Sequence, residues 1–266
     1  MFRFYFVIIT GILLNLYYLP LMWYYGKHSE KYTEADCYKI GQRLVRLIKK
    51  RAGINTITTG IENLPKTDGY IMYSNHQGKY DSLGIINSHK EPSTVIMDKS
   101  TGDELVPGLF VHLLKGKKLD KQDPRQQVGV INQVIQEIKA GRKYLIFPEG
   151  GYTDNRNTLQ EFHSGSFKIP LKSKCPIVPI AIYDSYKVFG ENSIGPLTTQ
   201  VHYLEPIYFE QYGKLTSKEL ADLVYSRINK KMLEIKHSSL EEYDEIEDEE
   251  YFEEPLEDYA PLHNIR

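Results

Sequence analysis

Cysteine is nearly absent from this 266-residue chain, which has only Cys37 and Cys175. That excludes a disulfide framework and a cysteine-based zinc site, and two free thiols fit a reducing compartment. No H-E-x-x-H or other paired-histidine spacing occurs, so the usual signature of a metal hydrolase is missing as well. Charge is missing from residues 4–26, FYFVIITGILLNLYYLPLMWYYG, and basic residues are missing from 241–258, which hold 12 Asp and Glu. The overall net charge of −2 therefore hides an asymmetry: without 241–266 there are 32 basic against 23 acidic residues, a net of +9. A basic body with an acidic tail points to an anionic partner: a membrane surface, nucleic acid or a phosphorylated substrate. With 41% apolar and 26% charged residues, wholesale disorder is excluded.

The uncharged run of 23 residues is long enough, at 1.5 Å per residue, to cross a hydrocarbon core of roughly 30 Å. Tyr17, Tyr18, Trp23, Tyr24 and Tyr25 crowd its second half like an interfacial belt, and Pro20 is expected to kink or restart the helix. Aromatics in place of a small-residue cleavage site argue for a membrane-anchoring helix over residues 1–26 rather than a signal peptide. In 34–51, Ile40, Leu44, Leu47 and Ile48 repeat at helical spacing among Arg43, Arg46, Lys49, Lys50 and Arg51. Beside an apolar anchor, such a helix is expected to lie on anionic headgroups and to hold the rest of the chain on the cytoplasmic face of the cell membrane.

From 27 to 237 short β-like runs alternate with helical patterns. Strands are expected at 55–59, 70–74, 93–97, 143–147, 176–182 and 200–208, and helices near 79–88, 103–114, 125–140 and 216–236. This alternation predicts an α/β domain, a mixed sheet flanked by helices. Residues 238–266, acidic and carrying Pro255 and Pro261, are expected to form a mostly disordered tail.

In α/β folds the reactive groups gather on loops that follow strands. The loop after 70–74 holds Asn75-His76-Gln77-Gly78-Lys79-Tyr80-Asp81. On a straight helix His76 and Asp81 would stand about 140° apart. Across a turn into a helix they can hydrogen-bond, and a carboxylate on one imidazole nitrogen makes the other a better base. No Ser or Cys nucleophile stands in the motif, so the pair is read as a dyad that deprotonates a substrate hydroxyl; the plain alternative is a capped turn. The loop after 143–147 holds Phe147-Pro148-Glu149-Gly150-Gly151-Tyr152, where two glycines let backbone approach a ligand. Between Lys115 and Arg125, the cations Lys117, Lys118 and Lys121 beside Gly116 form a candidate phosphate site, or else a solvated basic loop. Val178-Pro179-Ile180 reads as a buried strand.

In this order and spacing the four blocks resemble the glycerolipid acyltransferase family, the 1-acylglycerol-3-phosphate acyltransferases in particular. Its pattern is N-H-x4-D, G-x-x-[FL]-[ID]-x-[RK], F-P-E-G-T-R and V-P-[IV]. These correspond to Asn75 to Asp81, Gly116 to Lys121, Phe147 to Tyr152, and Val178 to Ile180. Phe162 to Lys168 is similar to the family's F-K-x-G-x-F segment, and Gly60 to Pro65 is a typical lead-in. The resemblance covers about 38–210. Gly151 and Tyr152 replace the family's Thr and Arg, and Lys121 stands where Arg is common, keeping the charge without the bidentate fork.

The resemblance implies fatty acyl transfer from an acyl thioester, acyl-CoA or acyl-carrier protein, to a lysophospholipid hydroxyl. His76 would be the general base and Asp81 its orienter. Asn75, Gly116, Lys117, Lys118, Lys121, Glu149, Gly150 and Gly151 would shape the substrate site. It implies no bound cofactor, no metal and no nucleic-acid partner, and 1-acyl-glycerol-3-phosphate as the foremost acceptor. Two rival readings are a metal hydrolase using His76, Asp81 and Glu149, and a decayed, membrane-tethered adaptor that recruits a basic partner through its acidic tail.

Overall fold

The structure, a computed structural model, describes residues 2–28 and 30–250. Seven strands form one sheet: β1 (Ile54–Thr59), β2 (Ile71–Ser74), β3 (Thr94–Asp98), β4 (Lys117–Leu119), β5 (Tyr144–Ile146), β6 (Ile177–Tyr183) and β7 (Leu197–Tyr203). Their spatial order is β1-β7-β6-β2-β5-β3-β4. The five strands from β6 to β4 run parallel, β7 turns antiparallel to β6, and β1 runs parallel to β7. The α/β sandwich expected from the alternation is thus present. β4 lies inside the stretch read as a basic loop. It is a three-residue edge strand, and lysines on such an edge discourage further pairing.

Both sheet faces are covered, so the central strands are apolar at nearly every position. Along β2 and β5, Ile71, Tyr73, Tyr144 and Ile146 pack under α7 (Pro124–Lys139) and the start of α11 (Ser217–Glu250). Met72, Leu145, Val178 and Ile180 face the other way, onto Ile85 and Val111. Those two residues belong to α4 (Asp81–Ser88) and α6 (Leu105–Leu113). Helix α7 begins where its chemistry dictates. Pro124 occupies the first turn, and the Asp123 carboxylate accepts from the Arg125 and Gln126 amides at 3.0 Å each.

The remaining helices are α1 (Phe2–Thr10), α2 (Ile12–Lys27), α3 (Glu34–Ala52) and the short α5 (Lys99–Gly102), α8 (Lys168–Ser173), α9 (Lys187–Gly190) and α10 (Phe209–Tyr212). Helix α11 continues into the acidic stretch through Glu250, where Glu-rich sequence without Gly or Pro keeps helix propensity. Residues 251–266 of the expected tail lie outside the described residues.

The expected membrane-anchoring helix is corrected here. Residues 4–26 form two helices, broken at Gly11, rather than one. The break lies there and not at Pro20, which α2 carries inside it. At 9 and 16 residues the two helices are about 13 and 24 Å long. No described helix is long and apolar enough to cross a membrane. Both also pack on the domain: Tyr18 and Met22 join Cys37, Leu44, Val45, Phe110 and Leu113 in one core cluster. Val7 joins Ala52, Ile54, Tyr80 and Val188 in another. Arg3, 2% exposed, donates to the backbone carbonyls of Lys187, Val188 and Gly195.

Candidate active site

Because β4, β5, β2 and β6 are parallel, their C-terminal ends open onto one edge of the sheet. The loops that follow them carry Lys121, Glu149, His76 and Ser185, in that spatial order. β3, between β5 and β4, ends at Asp98 and completes the row.

His76 and Asp81 meet across the turn into α4. The His76 Nδ1 to Asp81 Oδ2 distance is 2.6 Å. Asp81 is fully buried and accepts three more hydrogen bonds: from the Gln77 amide at 2.5 Å, from the Gly78 amide at 2.9 Å, and from the Ser185 hydroxyl. Four donors fix the position of the carboxylate. The imidazole stacks on Phe147 with ring centroids 4.3 Å apart, and Tyr152 meets it edge-on at 4.7 Å. With Nδ1 committed to Asp81, Nε2 is the nitrogen left for a substrate.

The remaining sequence-selected residues are not all turned to the same space. Asn75 is buried and clasps the backbone of Ile182 through both its amide atoms, at 2.8 and 2.9 Å, fastening the β2 loop to β6. Glu149 accepts from the His76 amide at 3.1 Å and, on its other oxygen, from Gln160 Nε2 at 2.7 Å. Its carboxylate therefore serves the loop that carries His76 rather than an ion shared with the imidazole. Gly150 has φ +71°, and a Cβ there would come within 2.9 Å of His163. Both conditions call for glycine. Gly151 is exposed and has open space around it. Gly116 needs its small size, since a Cβ would approach the Val95 carbonyl to 2.8 Å.

The lysines separate. Lys117 pairs with Glu137 on α7 at 2.5 Å, and Lys118 with Asp103 at 2.8 Å. Lys121 turns to the site, bonded to the Gly150 carbonyl at 2.6 Å and to Asp98 at 2.9 Å. Sequence reading missed Gln77, Asn155, Asn157, Gln160 and Ser185. Asn155 donates to the His76 carbonyl at 3.1 Å, and Gln77 Nε2 to Asn157 Oδ1 at 2.9 Å. Only Gln77 carried a signal, being inside the first block.

Burial pushes the Glu149 carboxyl up from 4.5 to about 7, against the opposing hydrogen bonds from Gln160 and the His76 amide. The unfolded chain releases this proton near pH 4.5, whereas the folded chain holds it to about 7. Stability contributed by the neutral acid is thus present at low pH and lost as pH rises through that window. Relative to Glu149→Gln, the wild type is expected to lose up to about 3 kcal/mol between pH 4.5 and 7. Urea unfolding of both proteins across this range checks it; a pH-independent difference contradicts it.

A buried aspartate that orients a histidine at the C-terminal ends of the parallel strands is an arrangement that can draw a proton from a hydroxyl. The Acyltransferase family profile matches residues 55–183. The chain is 27% identical over 188 residues to a 1-acyl-sn-glycerol-3-phosphate acyltransferase of Borreliella burgdorferi, covering 70% of this chain and 74% of the relative. To the Saccharomyces cerevisiae protein of the same name it is 27% identical over 219 residues, covering 80% and 69%. Its fold is similar to the crystal structure of the 1-acyl-sn-glycerophosphate (LPA) acyltransferase, PlsC, from Thermotoga maritima. The TM-score is 0.66 at 20% identity, over 88% of this chain and 93% of that one. Residues 55–183 thus carry an acyltransferase domain, and the chain is similar over most of its length to 1-acyl-sn-glycerol-3-phosphate acyltransferases, which are O-acyltransferases.

Proposed function

We propose that the enzyme transfers a fatty acyl group from an acyl thioester, on CoA or acyl-carrier protein, to the free hydroxyl of 1-acyl-glycerol-3-phosphate, giving phosphatidic acid. The observation that carries this reading is the His76–Asp81 contact at 2.6 Å with Asp81 wholly buried. His76 Nε2 takes the hydroxyl proton as the alkoxide oxygen attacks the thioester carbonyl. The tetrahedral oxyanion collapses, the C–S bond breaks, and the imidazolium returns the proton to the departing thiolate. Asp81 holds the tautomer and stabilises the imidazolium.

The names of the relatives support a phosphate-bearing acceptor, and Lys121 is the cation of its cluster that reaches the Gly150 loop. Tyr152 supplies no charge there, so Lys121 carries more of the phosphate grip. Lys121→Ala is expected to raise the acceptor KM about ten- to a hundred-fold, the worth of one charge-assisted hydrogen bond, with the thioester KM unchanged. The deciding experiment is acyl transfer by purified protein over a panel of lysolipids. Faster acylation of a zwitterionic or uncharged lysolipid, with Lys121→Ala silent, removes the phosphate assignment and leaves acyl transfer standing.

The enzyme works at the cytoplasmic face of the cell membrane. Phe2, Tyr5, Phe6, Ile9, Leu16, Tyr17, Trp23 and Tyr24 remain exposed on α1 and α2, a set suited to lying within an interface rather than spanning it. On α3, Arg43, Arg46 and Lys50 stand exposed at helical spacing, suited to anionic headgroups.

A further inference from the structure

We propose that Ser185 is a positioning residue of the dyad, the donor that fixes the carboxylate of Asp81 from the side opposite His76. The inference rests on the general-base reading above and adds a third side chain to it. Asp81 uses Oδ2 for His76 and for the Gln77 and Gly78 amides. Its Oδ1 receives the hydroxyl of Ser185. All of these donors except Ser185 come from the same short turn, residues 76–78. Ser185 comes from the loop after β6, 104 residues away, and ties the turn to the rest of the sheet edge.

The chain is shaped to place this hydroxyl. At the end of β6, Asp184 adopts φ +60°, a left-handed conformation that turns the backbone inward. Asn157 holds it there, its Oδ1 accepting from the Asp184 amide at 2.9 Å and its Nδ2 donating to the Asp184 carboxylate at 2.8 Å. Lys187 pairs with the same carboxylate at 2.9 Å. Gln77 then receives the Ser185 amide on Oε1 at 3.1 Å, while its Nε2 donates to Asn157 Oδ1 and to the Ile182 carbonyl. Ser185 has one hydroxyl proton, and Asp81 is both the nearer and the charged acceptor. The proton therefore goes to Asp81 rather than to Gln77. Ser185 is 2% exposed and bonded to Asp81 instead of His76, so it is no acyl-carrying nucleophile.

The direction of the effect follows from charge. With the Ser185 donor removed, the negative charge of Asp81 is less spread toward Oδ1 and bears more on the imidazole, and the carboxylate gains freedom to swing. The first change stabilises the imidazolium, and the second lowers the fraction of turnovers with a correctly aimed base. The other titratable or charged groups near the dyad are Glu149 and Tyr152 from the β5 loop and Lys121 from the β4 loop. Asp184 and Lys187, from the β6 loop, neutralise one another.

The test uses the full-length enzyme in detergent with lysophosphatidic acid and an acyl-CoA, and compares wild type, Ser185→Ala and the near-isosteric Ser185→Cys, a weak donor. Both variants are expected to lose kcat about ten- to a hundred-fold with both KM values unchanged. The acid limb of their kcat profile is expected to move to higher pH. Ser185→Cys gives the reading if the alanine variant folds poorly. A wild-type kcat in either variant, or a loss that tracks a lowered melting temperature with the acid limb unmoved, overturns the positioning role and leaves the dyad in place. Absence of transfer in the wild type on any lysolipid overturns the general-base reading, and this proposal falls with it.

Discussion

His76→Ala is expected to lose acyl transfer by about 10²–10⁴-fold, the usual cost of a general base, while its melting temperature stays close to that of the wild type. The imidazole is partly solvent-facing, its side chain 19% exposed, and the neighbouring fold relies on the backbone of residue 76 rather than the ring. Asp81→Asn should be comparably severe in rate but costlier in stability. An amide presents N–H groups to one or more of the donors that surround Asp81, leaving buried groups opposed or unpaired. It also favours the wrong imidazole tautomer. Initial rates for both variants on lysophosphatidic acid check the prediction. Near wild-type transfer by His76→Ala would contradict the dyad.

The second large effect concerns the amino-terminal helices. A chain beginning near Lys27 loses Val7, Tyr18 and Met22, all core residues, and uncovers their partners Phe110, Leu113, Leu44, Val45 and Val188. At roughly 1.5–3 kcal/mol for each apolar side chain returned to water, the loss is comparable to a domain's entire stability of about 5–15 kcal/mol. Truncation is therefore expected to yield protein without a cooperative melt, in detergent as well as in buffer. Met22→Ala tests the same contact mildly. Met22 is fully buried, and the substitution should cost about 2–5 kcal/mol, lowering Tm by several degrees. A truncated chain that melts like the full-length protein would show that α1 and α2 are appended rather than integral.

That second expectation marks where sequence and structure part. An uncharged stretch reads equally as lipid-facing or core-facing, because both environments select apolar residues. Gly11, a single residue in 23, breaks the run into lengths too short to span. The His76–Asp81 contact was legible because the two residues are near in sequence and their spacing survives as a motif. The mixed sheet flanked by helices was legible because short β-like runs, such as those of β2, β5 and β6, alternate with helical patterns along the chain. Ser185 and Gln160 were not. Each meets its partner only because the strand order places the ends of β2, β5 and β6 side by side, and serine or glutamine in a loop carries no periodicity. Lys117 and Lys118 misled for the opposite reason: a run of like charges looks like one site, whereas the strand β4 sends them to Glu137 and Asp103.

The three carbonyls that Arg3 caps follow Ser185 directly in the chain, between Lys187 and Gly195. The guanidinium and its acceptors are 184 to 192 residues apart in sequence, yet form one unit. For anyone building chimaeras with a relative, the first ten residues and the segment after β6 must be inherited from the same parent. A crossover that separates them leaves a buried cation without acceptors at one end and the loop carrying Ser185 without its fastening at the other.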